Sequence, residues 1–372
     1  MKIAFVSDAI WPYNKGGKEK RLFDVSTRLA QLHDVHIFSM KWWSGPNSIK
    51  RDGMTIHALC PRYALYSGKR RSIRQGILFG LSCLKLIRED WDVIDVDHMP
   101  FFPLFFVKIV CLLRGKKMTA TWHEVWGREY WVRYMGVSGL IASGIERISV
   151  WLPDSVISVS ADTTQKLKNV LGYHKTVATL VDGIDTRHID ALAPSKTRTD
   201  ILYAGRLLSH KNVHMLLNAV KLLEHTHTKI RCTIIGEGPE LPRLRLLAHS
   251  LRLEKNVVFK PFFDNHDDLI ASMKAARIFV LPSEREGFGV VVLEARASGT
   301  PVVTVAYPDN AAAGLMKNGV HGFIAEGTPE SLAATIQKTF NQSKKLRPKL
   351  GIERYDWKNV MSAFNSFFTN TL

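Results

Sequence analysis

The 372-residue chain has few cysteines, and none is spaced for a disulfide framework or a zinc site. Cys60, Cys83, Cys111 and Cys232 lie far apart, and no Cys-x-x-Cys pair occurs. Small secreted proteins rely on dense cysteine pairs, and structural zinc sites use short Cys-x-x-Cys spacings. The sequence therefore excludes both classes, and we expect a protein of a reducing compartment, the cytoplasm.

The sequence also lacks an apolar stretch long enough to cross a membrane. The longest candidates, residues 76–87 and 101–113, each contain a lysine, whereas a transmembrane helix needs about 20 predominantly apolar residues. The apolar run over residues 1–6 is too short for a signal peptide. We therefore expect neither an integral membrane protein nor a secretory leader.

Acidic residues are scarce relative to basic ones. The chain has 51 Lys and Arg residues against 34 Asp and Glu residues, which gives a net charge of +17. A surplus of this size indicates an anionic partner, such as nucleic acid, an acidic membrane or a phosphorylated substrate. The hydrophobic content of 46% is ordinary for a globular protein and excludes wholesale disorder.

Short apolar runs alternate with helix-period segments along the whole chain. This alternation predicts βαβ units, and we expect an α/β protein with two doubly wound, Rossmann-like domains. A change at Asp182-Gly183-Ile184-Asp185 predicts a first domain over residues 1–183 and a second over 184–354, followed by a C-terminal helix over 355–372 that packs back toward the first. The predicted strands are Ile3–Val6, Val35–Phe38, Val93–Val96, Met118–Thr121, Val156–Val159, Ile201–Ala204, Ile230–Ile235, Val257–Phe259, Ile278–Leu281 and Val302–Val305.

The loops that follow these strands carry the candidate functional residues, because ligands of doubly wound sheets bind beyond the carboxyl ends of the strands. After the first strand, Gly16 and Gly17 precede a helix whose N-terminal amides suit an anion, although a plain turn would look the same. In the second half, Gly205-Arg206 is followed by Lys211, and both cations suit phosphate oxygens.

A second loop carries two carboxylates. Glu286-Gly287-Phe288-Gly289 precedes a helix, and Glu294 lies within its apolar run. A carboxylate in such a run needs a partner, which is either a pair of ribose hydroxyls or an ion pair with Arg206 or Arg296.

With these motifs, the sequence resembles the retaining glycosyltransferases of family GT4, which have the GT-B fold of two Rossmann-like domains facing a cleft. The family's Glu-x7-Glu motif is present as Glu286 and Glu294, its Gly-Arg…Lys pair as residues 205, 206 and 211, and its Gly-x-Gly-Pro turn as residues 236–239. The order and spacing match over essentially the whole chain, more strongly in the C-terminal half.

The resemblance implies a nucleotide-sugar donor, a UDP-hexose by family frequency, with no cofactor and no metal. Catalysis would involve Glu286, His123, Arg206 and Lys211, with His123 beside the donor sugar and the two cations on the diphosphate. Glu294 would accept hydrogen bonds from the ribose, and Glu286 as a covalent nucleophile is the minor alternative. The implied donor-binding set is Gly16, Gly17, Gly205, Arg206, Lys211, Gly236, Pro261, Phe262, Glu286, Gly287, Phe288, Gly289 and Glu294.

The tripeptide Asp95-Val96-Asp97 matches a metal-binding Asp-x-Asp signature, because alternate residues of a strand share one face. The tripeptide also recurs by chance, and the two-sheet pattern fits a metal-independent fold. We therefore expect no metal site.

A basic, amphipathic segment over residues 62–88 contains seven cations and no Asp or Glu. Its cations, including Lys69, Arg70, Arg71 and Arg74, predict binding to an anionic membrane surface, against the alternative of a solvated helix face. Trp126, Tyr130 and His98 are weaker candidates for the acceptor site. We expect a peripheral protein at the cytoplasmic membrane face whose acceptor is a lipid or lipid-linked glycan.

Other functions compete with this prediction. A UDP-sugar epimerase of the same fold would need no acceptor, and a non-enzymatic protein could bind anionic ligands or nucleic acid. No nucleic-acid-binding module is recognisable, and no Gly-x-Gly-x-x-Gly follows the first strand as a nicotinamide dehydrogenase requires. The sugar, the base, the acceptor and the oligomeric state are not encoded in any motif that we recognise.

Overall fold

Two parallel sheets organise the chain into two units. The computed structural model describes residues 1–68 and 70–371. Unit 1 comprises Met1–Val181 and the chain from Val360 onward, and unit 2 comprises Asp182–Asn359. The chain leaves unit 1 after Val181, which is two residues before the predicted boundary at residue 183. The α/β class with parallel sheets is confirmed.

The sheet of unit 1 is built on buried apolar strands. The strands of unit 1 are β1 (Lys2–Val6), β2 (Asp34–Met40), β3 (Ser48–Arg51), β4 (Met54–Cys60), β5 (Tyr66–Ser67), β6 (Arg70–Arg71), β7 (Val93–Asp97), β8 (Met118–Trp122), β9 (Ser155–Ser158) and β10 (Val177–Thr179). The main sheet has the order β10-β9-β8-β7-β1-β2-β4-β3 and is parallel except for the pair β3–β4. β5 and β6 form a separate antiparallel hairpin.

Helices cover both faces of this sheet. Side chains alternate along β1, so that Ala4 and Val6 join one buried cluster while Phe5 lies on the opposite face. α2 to α5 pack on the Ala4 face, and α1 packs on the Phe5 face, where Leu22 and Val25 line a pocket with Phe5. The helices are α1 (Gly17–Leu29), α2 (Ile73–Ser82) with its 3-10 continuation Cys83–Arg88, α3 (Phe102–Arg114), α4 (Gly127–Met135), α5 (Gly139–Ser149) and α6 (Ala161–Asn169).

Unit 2 repeats the doubly wound plan with a shorter sheet. Its strands are β11 (Thr199–Ala204), β12 (Cys232–Ile235), β13 (Val257–Lys260), β14 (Ala276–Leu281), β15 (Arg285–Glu286), β16 (Val302–Val305), β17 (Asp309–Asn310) and β18 (Gly322–Ala325). The order of the main sheet is β13-β12-β11-β14-β16-β18, with parallel pairing. The helices are α7 (Thr186–Ala191), α8 (Val213–Glu224), α9 (Leu241–Ser250), α10 (His266–Ala275), α11 (Val290–Ala297) and α12 (Pro329–Gln342).

The order of the strands reverses once in each main sheet. In unit 1 the reversal falls between β1 and β7, and in unit 2 it falls between β11 and β14. Crevices at such switch points, outside the carboxyl ends of the strands, are where doubly wound sheets bind ligands. Both sets of candidate residues lie at these ends.

The last helix, α13 (Trp357–Thr371), begins in unit 2 and ends in unit 1. Its first residue, Trp357, packs on Gly183. A Cβ added to Gly183 would lie 2.5 Å from the Trp357 ring, so glycine is required here for close packing rather than for a turn. Its later residues Phe364 and Phe368 are buried in unit 1. Within residues 1–68 and 70–371, none of the helices has both the length and the apolar character needed to cross a bilayer.

Candidate active site

The carboxyl end of β1 carries a buried carboxylate, Asp8, in an ionic cluster. Its oxygens lie 2.9 Å from the Lys18 ammonium and 2.7 Å from the Arg71 guanidinium, and Gln75 donates at 3.2 Å. Burial alone would raise the pKa of Asp8, but Arg71 and Lys18 outweigh it and hold the pKa below its ordinary value. The cluster therefore keeps a charged carboxylate at the switch point of unit 1.

His123 follows β8 and is joined to the same cluster through Asp97. The ring Nε2 of His123 lies 2.9 Å from Asp97 Oδ1, and the Lys18 ammonium lies 3.2 Å from Asp97 Oδ2. Burial opposes ionisation of Asp97, yet Lys18 and His123 lower its pKa well below the usual range. The predicted catalytic histidine thus has an ionised carboxylate as its partner.

His98 lies in the core rather than in an acceptor site. It is 1% exposed, its ring stacks on Trp122 at 4.9 Å, and its Nδ1 accepts the backbone N–H of His123 at 3.3 Å. Burial, followed by the proximity of His123, lowers its pKa well below the ordinary value. This position corrects the expectation that His98 contacts an acceptor, because the ring instead supports the backbone of His123.

Gly16 and Gly17 form the N-terminus of α1. Gly16 is the extended cap residue of this helix, and a Cβ added to Gly17 would meet no atom within 4 Å. The backbone is therefore accessible at Gly17, as an approach to phosphate requires.

The aromatic residues after His123 form a compact cluster. Trp126 contacts Tyr130 at 4.7 Å and Tyr134 at 5.2 Å between ring centroids. Buried Glu146 orders this segment, because its carboxylate accepts hydrogen bonds from the Trp126 and Gly127 backbone and from the Trp131 indole. Trp126 and Tyr130 are half-buried, so each still presents part of its ring to solvent.

In unit 2, the loop after β11 carries Arg206 and is supported by the glycine turn after β12. A Cβ on Gly236 would lie 2.0 Å from the Gly205 carbonyl oxygen, and one on Gly238 would lie 2.4 Å from the Leu207 carbonyl oxygen. The two loops are also joined by a hydrogen bond from Leu207 N to Glu237 O. The glycines that were predicted from the family turn therefore allow the close packing that holds the Arg206 loop.

Lys211 and Glu286 meet at the carboxyl ends of β11 and β14. The Lys211 ammonium lies 2.7 Å from Glu286 Oε1, and the Ser283 hydroxyl donates to the same oxygen at 2.7 Å. Burial and the nearby Lys211, Arg285 and Arg206 lower the pKa of His210 to about 3. Three cations therefore lie near this loop, an arrangement that suits an anionic ligand.

The helix α11 begins directly after this pair. Gly289 caps it with φ +90°, and an added Cβ would lie 2.5 Å from Ala312 Cβ, so that only glycine fits this position. The neighbouring Phe288 is buried, and Gly287 lies between it and Glu286. The first amides of α11 thus lie next to Glu286 in the chain.

Glu294 lies on α11 and is buried, with its Oε1 2.8 Å from His266 Nε2. His266 is the first residue of α10, and the Asn265 side chain caps this helix. The alternative ion pair with Arg296 is wrong, because the Arg296 guanidinium donates to the carbonyls of Leu315, Pro348 and Leu350.

Pro261 and Phe262 follow β13 directly and lie at the same end of the sheet as Arg206. Pro261 is exposed and Phe262 is half-exposed. Both residues are therefore in contact with solvent, as the implied contact with a nucleobase requires.

The Asp-x-Asp carboxylates are both engaged by protein groups. Asp95 accepts hydrogen bonds from the hydroxyls of Thr119 and Thr121, each at 2.7 Å, while Asp97 pairs with His123 and Lys18. In the part of the chain that the structure describes, no group of three or more His, Cys, Asp or Glu residues is arranged to hold a metal ion.

The cations of the basic segment have different surroundings. Arg71 pairs with buried Asp8, and Lys85 donates to the Leu59 carbonyl at 2.7 Å. Arg70 and Arg74 are exposed, and Lys69 lies outside the described residues. The ion pair with Asp8 removes Arg71 from the cations that are available to lipid headgroups, which corrects the prediction for this residue.

Sequence reasoning missed several members of both clusters. Asp8, Lys18 and Ser283 were not singled out, and neither was His266. Asp8 and Ser283 each lie two residues after the end of a buried strand, β1 and β14, which was the available signal. Lys18 and His266 lie in the first turn of a helix that follows such a strand.

Two family models together span most of the chain. The family model described as Glycosyltransferase Family 4 matches residues 15–188, and the model described as Glycosyl transferases group 1 matches residues 185–357. The chain belongs to glycosyltransferase family 4. The resemblance of its sequence to GT4 enzymes is therefore confirmed.

Curated relatives of this GT4 member match over part of their length. Glycogen synthase of Mycobacterium tuberculosis is 34% identical over 174 residues, which are 45% of this chain and 42% of that protein. D-inositol 3-phosphate glycosyltransferase of Streptomyces griseus is 31% identical over 199 residues, 49% of this chain and 40% of that protein. The matched part of the GT4 member spans less than half the length of these relatives.

Solved structures match the GT4 member over its whole length. Sucrose-phosphate synthase from Thermosynechococcus elongatus superposes with a TM-score of 0.82 at 18% identity, covering 99% of this chain and 98% of that one. Anabaena HepE in complex with UDP-glucose superposes with a TM-score of 0.77 at 18% identity, covering 100% of both chains. These glycosyltransferase structures confirm the GT-B fold.

Proposed function

We propose that this GT4 member is a retaining, metal-independent glycosyltransferase that moves a sugar from a nucleotide sugar, a UDP-hexose, to an acceptor hydroxyl. The observation that carries this proposal is the convergence of Arg206, Lys211, Glu286 and the start of α11 at the carboxyl ends of β11 and β14. The HepE structure, which contains UDP-glucose, supports the choice of donor.

The chemistry requires stabilisation of the charge that develops on the leaving diphosphate. Preorganised cations and helix amides supply this, because they are fixed before the reaction and do not have to reorganise during it. Arg206 and Lys211 would bind the diphosphate oxygens together with the first amides of α11. The acceptor would attack the face from which the diphosphate departs, and a diphosphate oxygen would take the acceptor proton.

Glu286 would bind the donor sugar rather than attack it. Among the described residues, both polar contacts of its carboxylate, from Lys211 and Ser283, fall on Oε1. Oε2 is therefore available to accept a hydrogen bond from a sugar hydroxyl. Glu294 would accept hydrogen bonds from the ribose, in exchange for its contact with His266.

A donor panel tests this function. Purified protein is incubated with UDP-, GDP- and ADP-hexoses, with and without membrane lipids, and nucleotide release is measured. We expect release with a UDP-hexose that increases with lipid and is unchanged by excess chelator. An NMR spectrum of the product should show the anomeric configuration of the donor. Conversion of the UDP-sugar without acceptor would identify an epimerase, and binding without turnover would identify a binding protein.

We further propose a lipid or lipid-linked glycan as the acceptor. The outer helical layer of unit 1, defined as α2 with its continuation, α3, α4 and α5, exposes an unusual number of large apolar side chains. On α2 the exposed Ile73, Ile77 and Leu81 follow the period of a helix and form a stripe. The exposed apolar residues of the layer are Ile73, Ile77, Leu81, Leu84, Ile87, Ile109, Leu112, Leu113, Val132, Leu140, Ile141 and Ile148.

The helices of this layer pack against each other in pairs, α2 with α3 and α4 with α5. Their buried sides share a single core cluster, and Lys108 of α3 pairs with Asp154, beyond α5, at 2.7 Å. The exposed cations Arg70, Arg74 and Arg88 flank the apolar stripe of α2. Apolar side chains bordered by cations suit the interface of an anionic membrane. This surface supports a peripheral location at the cytoplasmic membrane face.

A further inference from the structure

Five ionisable side chains of unit 1 form a continuous chain that ends at His123. Arg71 contacts Asp8 at 2.7 Å, Asp8 contacts Lys18 at 2.9 Å, Lys18 contacts Asp97 at 3.2 Å, and Asp97 contacts His123 at 2.9 Å. Each pair joins a basic group to a carboxylate. The chain links the β5–β6 hairpin to the carboxyl ends of β1, β7 and β8.

Lys18 is the centre of this chain. Its ammonium contacts both carboxylates and lies 3.2 Å from the Ser7 hydroxyl and 3.3 Å from the Met99 carbonyl oxygen. Burial would lower the pKa of Lys18, but the Asp8 and Asp97 carboxylates raise it above the ordinary value. Lys18 therefore stays charged and holds the Asp97 carboxylate in its ionised form.

The ionised state of Asp97 determines where His123 carries its proton. A carboxylate without a proton can only accept hydrogen bonds, so the Nε2 atom of His123 must be the donor in this contact. The backbone N–H of His123 is bound to His98 Nδ1, which fixes the start of the side chain. Among the described residues, the Nδ1 atom of His123 has no hydrogen-bond partner.

We propose that Asp97, held by Lys18, is a positioning residue that fixes His123 as the Nε2-protonated tautomer and leaves Nδ1 to accept a hydrogen bond from a substrate hydroxyl. The identity of that substrate rests on the proposed glycosyltransferase function, whereas the tautomer of His123 does not. A purely stabilising role of these contacts would not require one tautomer, so the experiment measures which ring nitrogen of His123 carries the proton.

The experiment is a ¹⁵N NMR spectrum of the full-length protein labelled at histidine, in which the His123→Gln variant assigns the His123 signals. In the wild type we expect a protonated Nε2 and an unprotonated Nδ1. In Asp97→Asn we expect the opposite tautomer to predominate, because the carboxamide can donate to Nε2 where the carboxylate could only accept. Asp95→Asn is the matched control, since Asp95 is buried on the same strand and contacts Thr119 and Thr121 instead.

Steady-state kinetics provide the second readout. With the nucleotide sugar that the donor panel identifies, Asp97→Asn should lower kcat by about 10- to 150-fold, the effect of losing a hydrogen bond to a charged group. Its KM for that donor should change less than about 2-fold, because the expected effect is on the reacting centre and not on the nucleotide.

The outcomes separate this inference from the proposed function. An Nδ1-protonated His123 in the wild type would overturn it without any variant of Asp97. An unchanged tautomer and an unchanged kcat in Asp97→Asn would overturn it as well. If the tautomers behave as expected but no nucleotide sugar turns over, the positioning of His123 stands and the glycosyltransferase proposal fails.

Discussion

The two units use charge in different ways at the carboxyl ends of their strands. In unit 1, Arg71, Asp8, Lys18, Asp97 and His123 come from five separate segments and neutralise one another in a largely buried chain. In unit 2, Lys211 has Glu286 as its partner, with Arg206 and Arg285 near the same loop and the capping glycine of α11 next to it. The cluster of unit 1 is therefore suited to orient His123, whereas the loop of unit 2 is suited to bind an anion.

Their surfaces differ as well. Among the described residues, 22 large apolar side chains are exposed, of which 18 lie in unit 1 and only Leu222, Leu246, Val258 and Leu350 lie in unit 2. Exposed apolar side chains that are concentrated in one region mark an interaction site more often than scattered ones do. The difference indicates that the proposed donor chemistry and the proposed attachment to a membrane surface rest on different units of the chain.

The largest expected effect concerns the loop of unit 2. Lys211→Ala or Arg206→Ala should remove most turnover, because each deletes a cation that would stabilise the leaving diphosphate. Glu294→Ala should weaken nucleotide-sugar binding by about 10- to 150-fold, as expected for the loss of a charged hydrogen bond. Isothermal titration and steady-state kinetics measure both effects.

The matched control for this prediction is Lys221→Ala. Lys221 also pairs with a glutamate, Glu224, at 2.6 Å, but on the surface of α8. Its kinetics should equal those of the wild type, because an exposed pair of this kind contributes about 0–1 kcal/mol. Wild-type kinetics in Lys211→Ala, Arg206→Ala and Glu294→Ala together would reject the donor site.

The second effect concerns the surface of unit 1. Changing Arg70, Arg74 and Arg88 to Glu should abolish binding to anionic vesicles, since each cation contributes up to about 1 kcal/mol near such a surface. Donor hydrolysis should be retained. Arg71 is left unchanged, because a glutamate there would face the buried Asp8 carboxylate. Vesicle flotation at two salt concentrations measures the binding, which high salt should partly release.

A control with the same change in net charge is the Lys229, Arg245 and Lys344 to Glu variant, whose three cations are exposed on unit 2. This variant should bind vesicles like the wild type. If the wild type ignores anionic vesicles, or if both triple variants lose binding equally, the outer helical layer is only a solvated face.

The smallest effect concerns the stability of unit 1. Burial raises the pKa of Asp95 from 3.8 to about 6, so the unfolded state ionises first as the pH rises. The stability of the wild type should therefore fall, relative to Asp95→Asn, by on the order of 2 kcal/mol between pH 4 and pH 7. Urea unfolding followed by tryptophan fluorescence measures this, because eight of the nine tryptophans precede residue 182.

Asp52→Asn is the control for this pH dependence. Asp52 is exposed in a turn with φ +50°, a conformation that Asn tolerates. The same urea series on this variant shows the effect of replacing an exposed carboxylate instead of a buried one. A flat difference for Asp95→Asn would show that the Asp95 carboxyl ionises normally in the folded protein.

The sequence predicted unit 2 better than unit 1 for a physical reason. Arg206 and Lys211, like Glu286 and Glu294, lie within a few residues of each other, so one loop and one helix start are enough to recognise them. Asp8, Arg71 and Asp97 are brought together only by the strand order of the sheet, which no local pattern encodes.

All ten predicted strands are present in the structure, but several observed strands were not predicted. β3, β4, β10 and β18 of the main sheets were missed, and these four lie at or next to an edge of their sheets. The two-residue strands β5, β6, β15 and β17 were missed as well, because they are too short to show an apolar pattern. The outermost strands β3 and β10 are only partly buried, as the alternating exposure of Ser48–Arg51 illustrates, so their apolar signal is weak. The central strands β1, β7, β11 and β14 are buried on both faces and were recognised as apolar runs.

The path of α13 has a consequence for the order in which the protein is made. Phe368 packs on Phe5 of the first strand at 5.7 Å, and the Asn365 side chain binds His33 at 2.7 Å. A ribosome therefore synthesises the last pieces of unit 1 only after the whole of unit 2. Until then, the Phe5 face of the first sheet stays partly uncovered and open to chaperones or to aggregation. Unit 2, which is continuous in the chain, can complete its core before the unit that precedes it.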